Sequence, residues 1–273
     1  MNLSGIARAL GVGVEVAKTV IDYMQTYRRI NTPVDDTEQF KEVLAESLVD
    51  FQRTAGIPAL GWATPETVEI MTMAPRCGNP DIQRVGEFAA NWRKKDLAYF
   101  IKDYVDGLTK EDQDGLVAEA FGFWAAVADI RFKRAVSGSV PDLVISTGRG
   151  RGQNFDGPSG TLAYAYMPNG TDKQLLMRFD LDEKWVKGNP QGGILFLNVA
   201  THEFGHLLGM DHSRVSTALM APFYSPSVAK PQAHDDIPRI QALYGAPTTP
   251  PVGPPPSPPK TLIEITGTYR VIT

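Results

Sequence analysis

Cysteine is almost missing from this chain of 273 residues: Cys77 is the only one. A lone thiol excludes an intramolecular disulfide framework, so a core, a metal or both must hold the fold. Charge of one sign is not in excess. The 27 Lys and Arg against 31 Asp and Glu leave a net charge of −4, which gives no whole-molecule attraction to nucleic acid or an anionic membrane. No apolar run is long enough to span a bilayer. The N-terminal "MNLSGIARALGVGVEVAKTVIDYM" is partly apolar, but Arg8, Glu15 and Lys18 interrupt it. It reads as an amphipathic helix, and no signal peptide is visible. No internal repeat is evident. Histidine is scarce as well, with four in the chain.

What is present is ordinary for a globular chain: 42% apolar and 21% charged residues. Residues 1 to about 73 read as helices. Ile6, Leu10, Val14, Ala17 and Ile21 recur at helical spacing. A second helix starts at Thr37 and ends near Gly56, and a third starts at Thr64 with Pro65 in its first turn. From Leu97 the pattern changes. "DLAYFIKDY", "RFKRAV", "DLVIST", "TLAYAYM" and "LLMRFDL" read as strands, and "DQDGLVAEAFGFWAAVA", "GGILFLNVATHEFGHLLGM" and "DDIPRIQALYG" as helices. That order predicts an α/β (α+β) domain with a sheet backed by helices. The Pro-rich "APTTPPVGPPPSPPK" reads as an extended spacer.

The chemistry concentrates in "HEFGHLLGMDH". His202 and His206 lie four apart, on one helical face, where they can bind one metal. Gly209 can take the positive φ that ends the helix, so the chain turns and His212 returns as a third nitrogen donor. Three His ligands leave one zinc position open for water, the arrangement of a catalytic zinc. Glu203 beside them can take the proton of a water polarised by the metal. A bare HExxH also occurs in helices without catalysis, but three of the four histidines fall in this one motif. Downstream, "ALMAP" offers Met220 for a Met-turn.

With Ser213 after the third His, the motif resembles the matrixins, the matrix metalloproteinases of the metzincin clan. The resemblance runs from about Glu38 to Gly245 and includes "LVDFQRTAGIPA", "PRCGNPD", "WRKKDLAY", "FDGPSGTLAYAY", "FDLDEKW", "ALMAPFY" and "DDIPRIQALYG". It implies a latent zinc endopeptidase with a metzincin-type catalytic domain. That domain has a twisted mixed sheet and three helices. The implied organisation is a helical pro-domain at 1–81, a catalytic domain at 88–246, a Pro-rich linker at 247–260 and a short tail at 261–273. "PRCGNPD" resembles the cysteine switch, in which Cys77 occupies the fourth zinc position while Arg76 and Asp81 form a salt bridge across the cleft. Asn79 departs from the family's usual Val and changes how the latch packs. The alternative for Cys77 is a small buried core residue.

The family's second, structural zinc is not expected. Arg149, Arg151, Tyr164 and Arg178 stand where its ligands belong, and Arg stays protonated in proteins. One calcium site is expected, from the carboxylates of Asp156, Asp180 and Glu183 and the carbonyls of Gly157, Ser159 and Thr161. Solvated acidic loops are the alternative. Leu162 and Ala163 match the edge strand that pairs with an extended peptide, and Pro222 and Tyr224 match the wall of the S1′ pocket. Asn198 either makes that pocket more polar or shallower, or hydrogen-bonds its loop. Asp235 or Asp236 is expected to pair with the ammonium formed on activation. Expected partners are a polypeptide substrate and the chain's own pro-domain, with the chain a monomer. Secretion follows from the resemblance alone. Two rivals are a catalytically weak or inactive metzincin-fold binding module and another metzincin with a narrow, non-matrix substrate.

Overall fold

The computed structural model describes residues 3–248 apart from 29, 31, 36, 82–89 and 137. The segment after the latch in which activating cleavage is expected, most of the Pro-rich linker and the whole tail lie outside the described residues. Four helices come first: α1 (Leu3–Leu10), α2 (Val14–Tyr27), α3 (Glu38–Ala55) and α4 (Pro65–Met73). The single N-terminal helix expected from the apolar spacing is two. Gly11, at φ +68°, breaks it, because a left-handed residue cannot continue an α-helix. Thr37 caps α3 by accepting from Phe40 N at 3.2 Å, and Thr64 caps α4 by accepting from Thr67 N at 3.1 Å. Ile6, Val20, Met24, Phe40, Leu48 and Phe51 form the core of this half.

The remaining elements are β1 (Arg76–Cys77), β2 (Asp96–Ile101), α5 (Lys110–Ala125), β3 (Arg131–Arg134), β4 (Leu143–Gly148), β5 (Thr161–Ala165), β6 (Leu175–Asp180), β7 (Trp185–Val186), β8 (Ile194–Leu195), α6 (Phe196–Leu207) and α7 (Asp236–Tyr244). One six-stranded sheet runs β1-β5-β6-β4-β2-β3. Its pairs are parallel except β5 with β6, so the sheet is mixed. A second core lies between this sheet and α5 and α6, with Trp124, Phe121, Phe204, Phe179 and Met177 buried in it. Phe121 and Phe204 stack with ring centroids 3.8 Å apart and fix α6 against α5. Among the described residues no helix is long and apolar enough to cross a membrane.

The helix carrying the histidines starts later than its apolar run suggests. Ile194 and Leu195 pair with Trp185 and Val186 as a short ladder, and α6 begins at Phe196. A side chain at Gly193 would overlap the carbonyl of Lys184, so the chain there is held against its neighbour rather than coiled.

Candidate metal centre

α6 carries His202 and His206 one turn apart. Gly209 follows at φ +93°, where a Cβ would fall 2.6 Å from the Ala90 carbonyl. The turn brings His212 back to the helix. Cys77 arrives from β1. The ligating atoms of Cys77, His202, His206 and His212 all lie within 4.8 Å of one another, and all four residues are buried. Among the described residues, this is the one group of three or more His, Cys, Asp or Glu side chains that converges in this way.

The backbone sets the ring tautomers. His202 Nδ1 lies 2.7 Å from the Leu219 carbonyl, and His206 Nδ1 lies 2.7 Å from the Met210 carbonyl. A carbonyl only accepts, so both Nδ1 atoms carry the proton and both Nε2 atoms present a lone pair. His202 Nε2 is 3.3 Å from His212 Nε2, and Cys77 Sγ is 3.4 Å from His206 Nε2. Tetrahedral zinc, with bonds of about 2.0–2.1 Å to nitrogen and 2.3 Å to sulfur, gives donor–donor edges of about 3.3 and 3.6 Å. The donor set therefore fits zinc in chemistry and spacing. Burial pushes His202 down to about 3, His206 well below its ordinary range and His212 also down. All three rings are neutral at pH 7, the form that ligates.

Glu203 is fully buried, and neither of its carboxylate oxygens has a hydrogen-bond partner. Burial pushes its carboxyl up to about 8, and the neighbouring Cys77 thiol opposes that rise. Burial, then Glu203, raise the Cys77 thiol well above its ordinary value. A cation at the cluster would reverse that direction.

Residues around the latch form a strand through the cleft. Arg76 N donates to Gly160 O at 2.7 Å and Gly78 N to Ala163 O at 2.7 Å, on the β5 side. Cys77 N donates to Pro222 O at 2.9 Å and Tyr224 N to Pro75 O at 2.9 Å, on the opposite wall. Leu162 and Ala163 thus line one side of the groove, and Pro222 and Tyr224 the other. A cavity of about 30 Å³ opens beside His202 and Glu203, lined in part by Leu162, Asn198, Pro222 and Tyr224. Of the two readings open for Asn198, its amide is seen donating to Ser225 O at 3.0 Å, a bond to the pocket loop. Arg76 pairs with Asp81 and stacks on Tyr27, 3.6 Å from the ring centroid.

Met220 is fully buried beneath the histidines, and a side chain at Gly205 would overlap its sulfur. Asp236 is buried and already accepts from Leu219 N, Met220 N and Gln232 N at 2.8, 3.0 and 2.8 Å. Asp235 pairs with Arg239 at 3.1 Å. Asp156 accepts from Thr161 N at 2.9 Å. Asp180 Oδ2 and Glu183 Oε1 are buried without a partner. Burial and neighbouring carboxylates raise Asp180 to about 6 and Glu183 to about 7. Gly157 and Ser159, at φ +96° and +68°, shape the loop beside them. Arg178 donates to Tyr164 Oη at 3.1 Å, and Arg149 pairs with Asp182 at 2.8 Å.

Several contacts at the centre escaped the sequence reading. The Asn79 amide donates to Ala165 O at 2.8 Å and accepts from Ala165 N at 3.1 Å, as a strand residue's backbone would. Its departure from the usual Val was the visible signal. Phe223 packs edge-on to Phe51, 5.8 Å between centroids, and so joins the helical half to the cleft wall. Asp81 reaches Arg28 at 3.4 Å and His212 Nδ1 at 3.4 Å, and Asp50 joins Arg28 to Arg214. No local pattern marks these pairs.

A mixed sheet backed by helices, with an HExxH helix, a returning histidine and a methionine beneath, defines a metzincin-type domain. Residues 91–245 match the family model described as Matrixin, and the chain belongs to that family. It is 38% identical over 211 residues to matrilysin of Homo sapiens, covering 74% of this chain and 77% of that protein. It is 35% identical over 249 residues to interstitial collagenase of Bos taurus, covering 87% and 51%. It is 34% identical over 267 residues to macrophage metalloelastase of Rattus norvegicus, covering 95% and 56%. The chain thus spans about half the length of the latter two relatives.

Proposed function

We propose that this chain is a latent zinc endopeptidase that hydrolyses extended polypeptides and is inhibited by its own first 81 residues. The observation that carries the reading is the cluster itself: three neutral imidazoles and one thiol converging beside a buried, unpaired carboxylate. His202, His206 and His212 would hold the metal, and Cys77 would fill the fourth position in the latent state. When bound, zinc supplies a Lewis acid that polarises water and the scissile carbonyl. Glu203 takes a proton on a carboxylate oxygen and passes it to the leaving amine nitrogen. Its buried, unshared carboxylate beside the donors is placed to act first as base and then as acid. β5 and residues 222–224 orient an extended peptide through the backbone groups that now bind the latch.

The same reading assigns 1–81 as pro-domain, 88–246 as catalytic domain and 247–273 as linker and tail. Separate cores in the two halves support that division. Asp156, Asp180 and Glu183, with the carbonyls of Gly157, Ser159 and Thr161, would hold one calcium ion. The unpartnered buried oxygens of Asp180 and Glu183 support it. The product is a secreted monomer acting on polypeptides outside the cell.

The test compares zinc-loaded parent chain with Cys77→Ser on a quenched-fluorescent peptide mixture. The parent should be slow. The variant should cleave the peptides or itself, because a hydroxyl is a far weaker zinc ligand than a thiolate. A variant as inert and as intact as the parent would rule out the latch.

A further inference from the structure

The three histidines are not held alike. His202 and His206 each aim Nδ1 at a carbonyl of the same domain, Leu219 and Met210. His212 Nδ1 is buried and has no well-formed hydrogen bond. The nearest acceptor is Oδ1 of Asp81, 3.4 Å away, with both side chains about 1% exposed. Asp81 belongs to the latch segment, four residues after Cys77.

We infer that Asp81 is a positioning residue for His212: it accepts from the ring's Nδ1, so the latch grips the metal centre through a ligand's far side as well as through Cys77. The inference rests on the zinc reading above. Metal-binding histidines usually donate the second ring N–H to a carboxylate or carbonyl, which fixes the tautomer and raises the donor strength of the other nitrogen. In this chain two of those acceptors stay with the catalytic half, and the third departs with the pro-segment.

The surroundings hold Asp81 in place for this task. Its backbone N donates to Tyr27 O at 2.7 Å. Arg76 pairs with its Oδ1, and Arg28 approaches its Oδ2 at 3.4 Å. Asp50 pairs with Arg28 and lies 3.4 Å from Arg214, two residues beyond His212. The carboxylate is thus charged and fixed, with one oxygen facing the ring. Loss of the pro-segment would remove this acceptor together with the Cys77 thiolate, so activation would open the fourth position and free His212 Nδ1 to water in one event.

The experiment uses the full chain in a Cys77→Ser, Glu203→Ala background, which has no thiolate and no route to self-cleavage. Zinc affinity is measured by chelator competition for that chain, for Asp81→Leu and for Arg28→Met. Asp81→Leu should weaken zinc roughly 10–100-fold. Arg28→Met, which breaks the same ion network but keeps the acceptor, should change it little. Equal affinity in Asp81→Leu and its parent, or an equal loss in Arg28→Met, would overturn the inference. A second measurement needs no substitution at Asp81. In the zinc-loaded unsubstituted chain labelled with ¹⁵N-histidine, three slowly exchanging Nδ1–H signals are expected. Only two such signals would also overturn it. A background chain that binds no zinc would instead sink the reading of the whole site.

Discussion

At the residue scale, Glu203 is the group whose role is separable from binding. It is buried, unpaired and not among the four converging donors. Glu203→Ala in a Cys77→Ser chain should therefore keep its zinc and lose about 10²–10⁴-fold in kcat, the range for a positioned acid–base group. Zinc content by elemental analysis and turnover on a short peptide separate the two effects. Near-normal turnover would contradict the mechanism. The spacing of His202, Glu203 and His206 was fully legible in the sequence, because one helical turn fixes it. The acceptors behind the rings were not, since Leu219 and Met210 reach them only through the turns after α6.

At the scale of elements, α6 depends on the loop beneath it, and Asp236 at the start of α7 ties that loop down. Three backbone N–H groups, of Leu219, Met220 and Gln232, donate to its carboxylate. Buried donors left without an acceptor cost about 1–3 kcal/mol each. Asp236→Ala should lower the unfolding free energy by roughly 3 kcal/mol or more, read from urea titration. A change below about 0.5 kcal/mol, the scale of an ordinary surface substitution, would show that the loop holds without it. The sequence singled out Asp235 or Asp236 as the partner of an N-terminus formed on activation; in this chain Asp236 accepts from Leu219, Met220 and Gln232, and Asp235 pairs with Arg239.

The acidic loops beside β5 and β6 make a pH-dependent prediction. Without calcium, Asp180 titrates at about 6 and Glu183 at about 7, both above their ordinary values. The folded state then binds more protons than the unfolded one between about pH 4 and 7, so stability falls as pH rises through that window. A bound cation relieves the same repulsion, and protons compete with it. The rise in Tm on adding calcium should be larger at pH 8 than at pH 5. Calorimetry with zinc held constant checks this. No calcium effect at pH 8 would show that these carboxylates hold no calcium.

At the scale of the whole molecule, the metal count is the telling quantity. Arg178 is hydrogen-bonded to Tyr164, and Arg149 pairs with Asp182, so three of the four positions where a second zinc would need ligands are otherwise engaged. Elemental analysis of the purified chain should find one zinc per molecule, and two tightly held zincs would overturn that count. Contacts that join the two halves include β1 against β5, Phe223 against Phe51, and the charged chain from Asp81 to Arg214.

Local chemistry was enough to place the caps at Thr37 and Thr64, the five strands β2 to β6, the histidine helix and the turn at Gly209. Each of these follows from neighbours within a few residues: a side-chain oxygen three positions before an amide, a 3.6-residue pitch, a φ that glycine takes without strain. The family motifs extended that reach to the latch and the zinc donors. Tertiary structure alone decided the rest. It delayed the start of α6, turned the Asn198 amide onto Ser225, gave Asn79 a strand-like pairing with Ala165, and set Asp81 against His212. The reason is physical: these contacts join segments far apart in sequence, and their geometry is set by how two cores pack across the cleft.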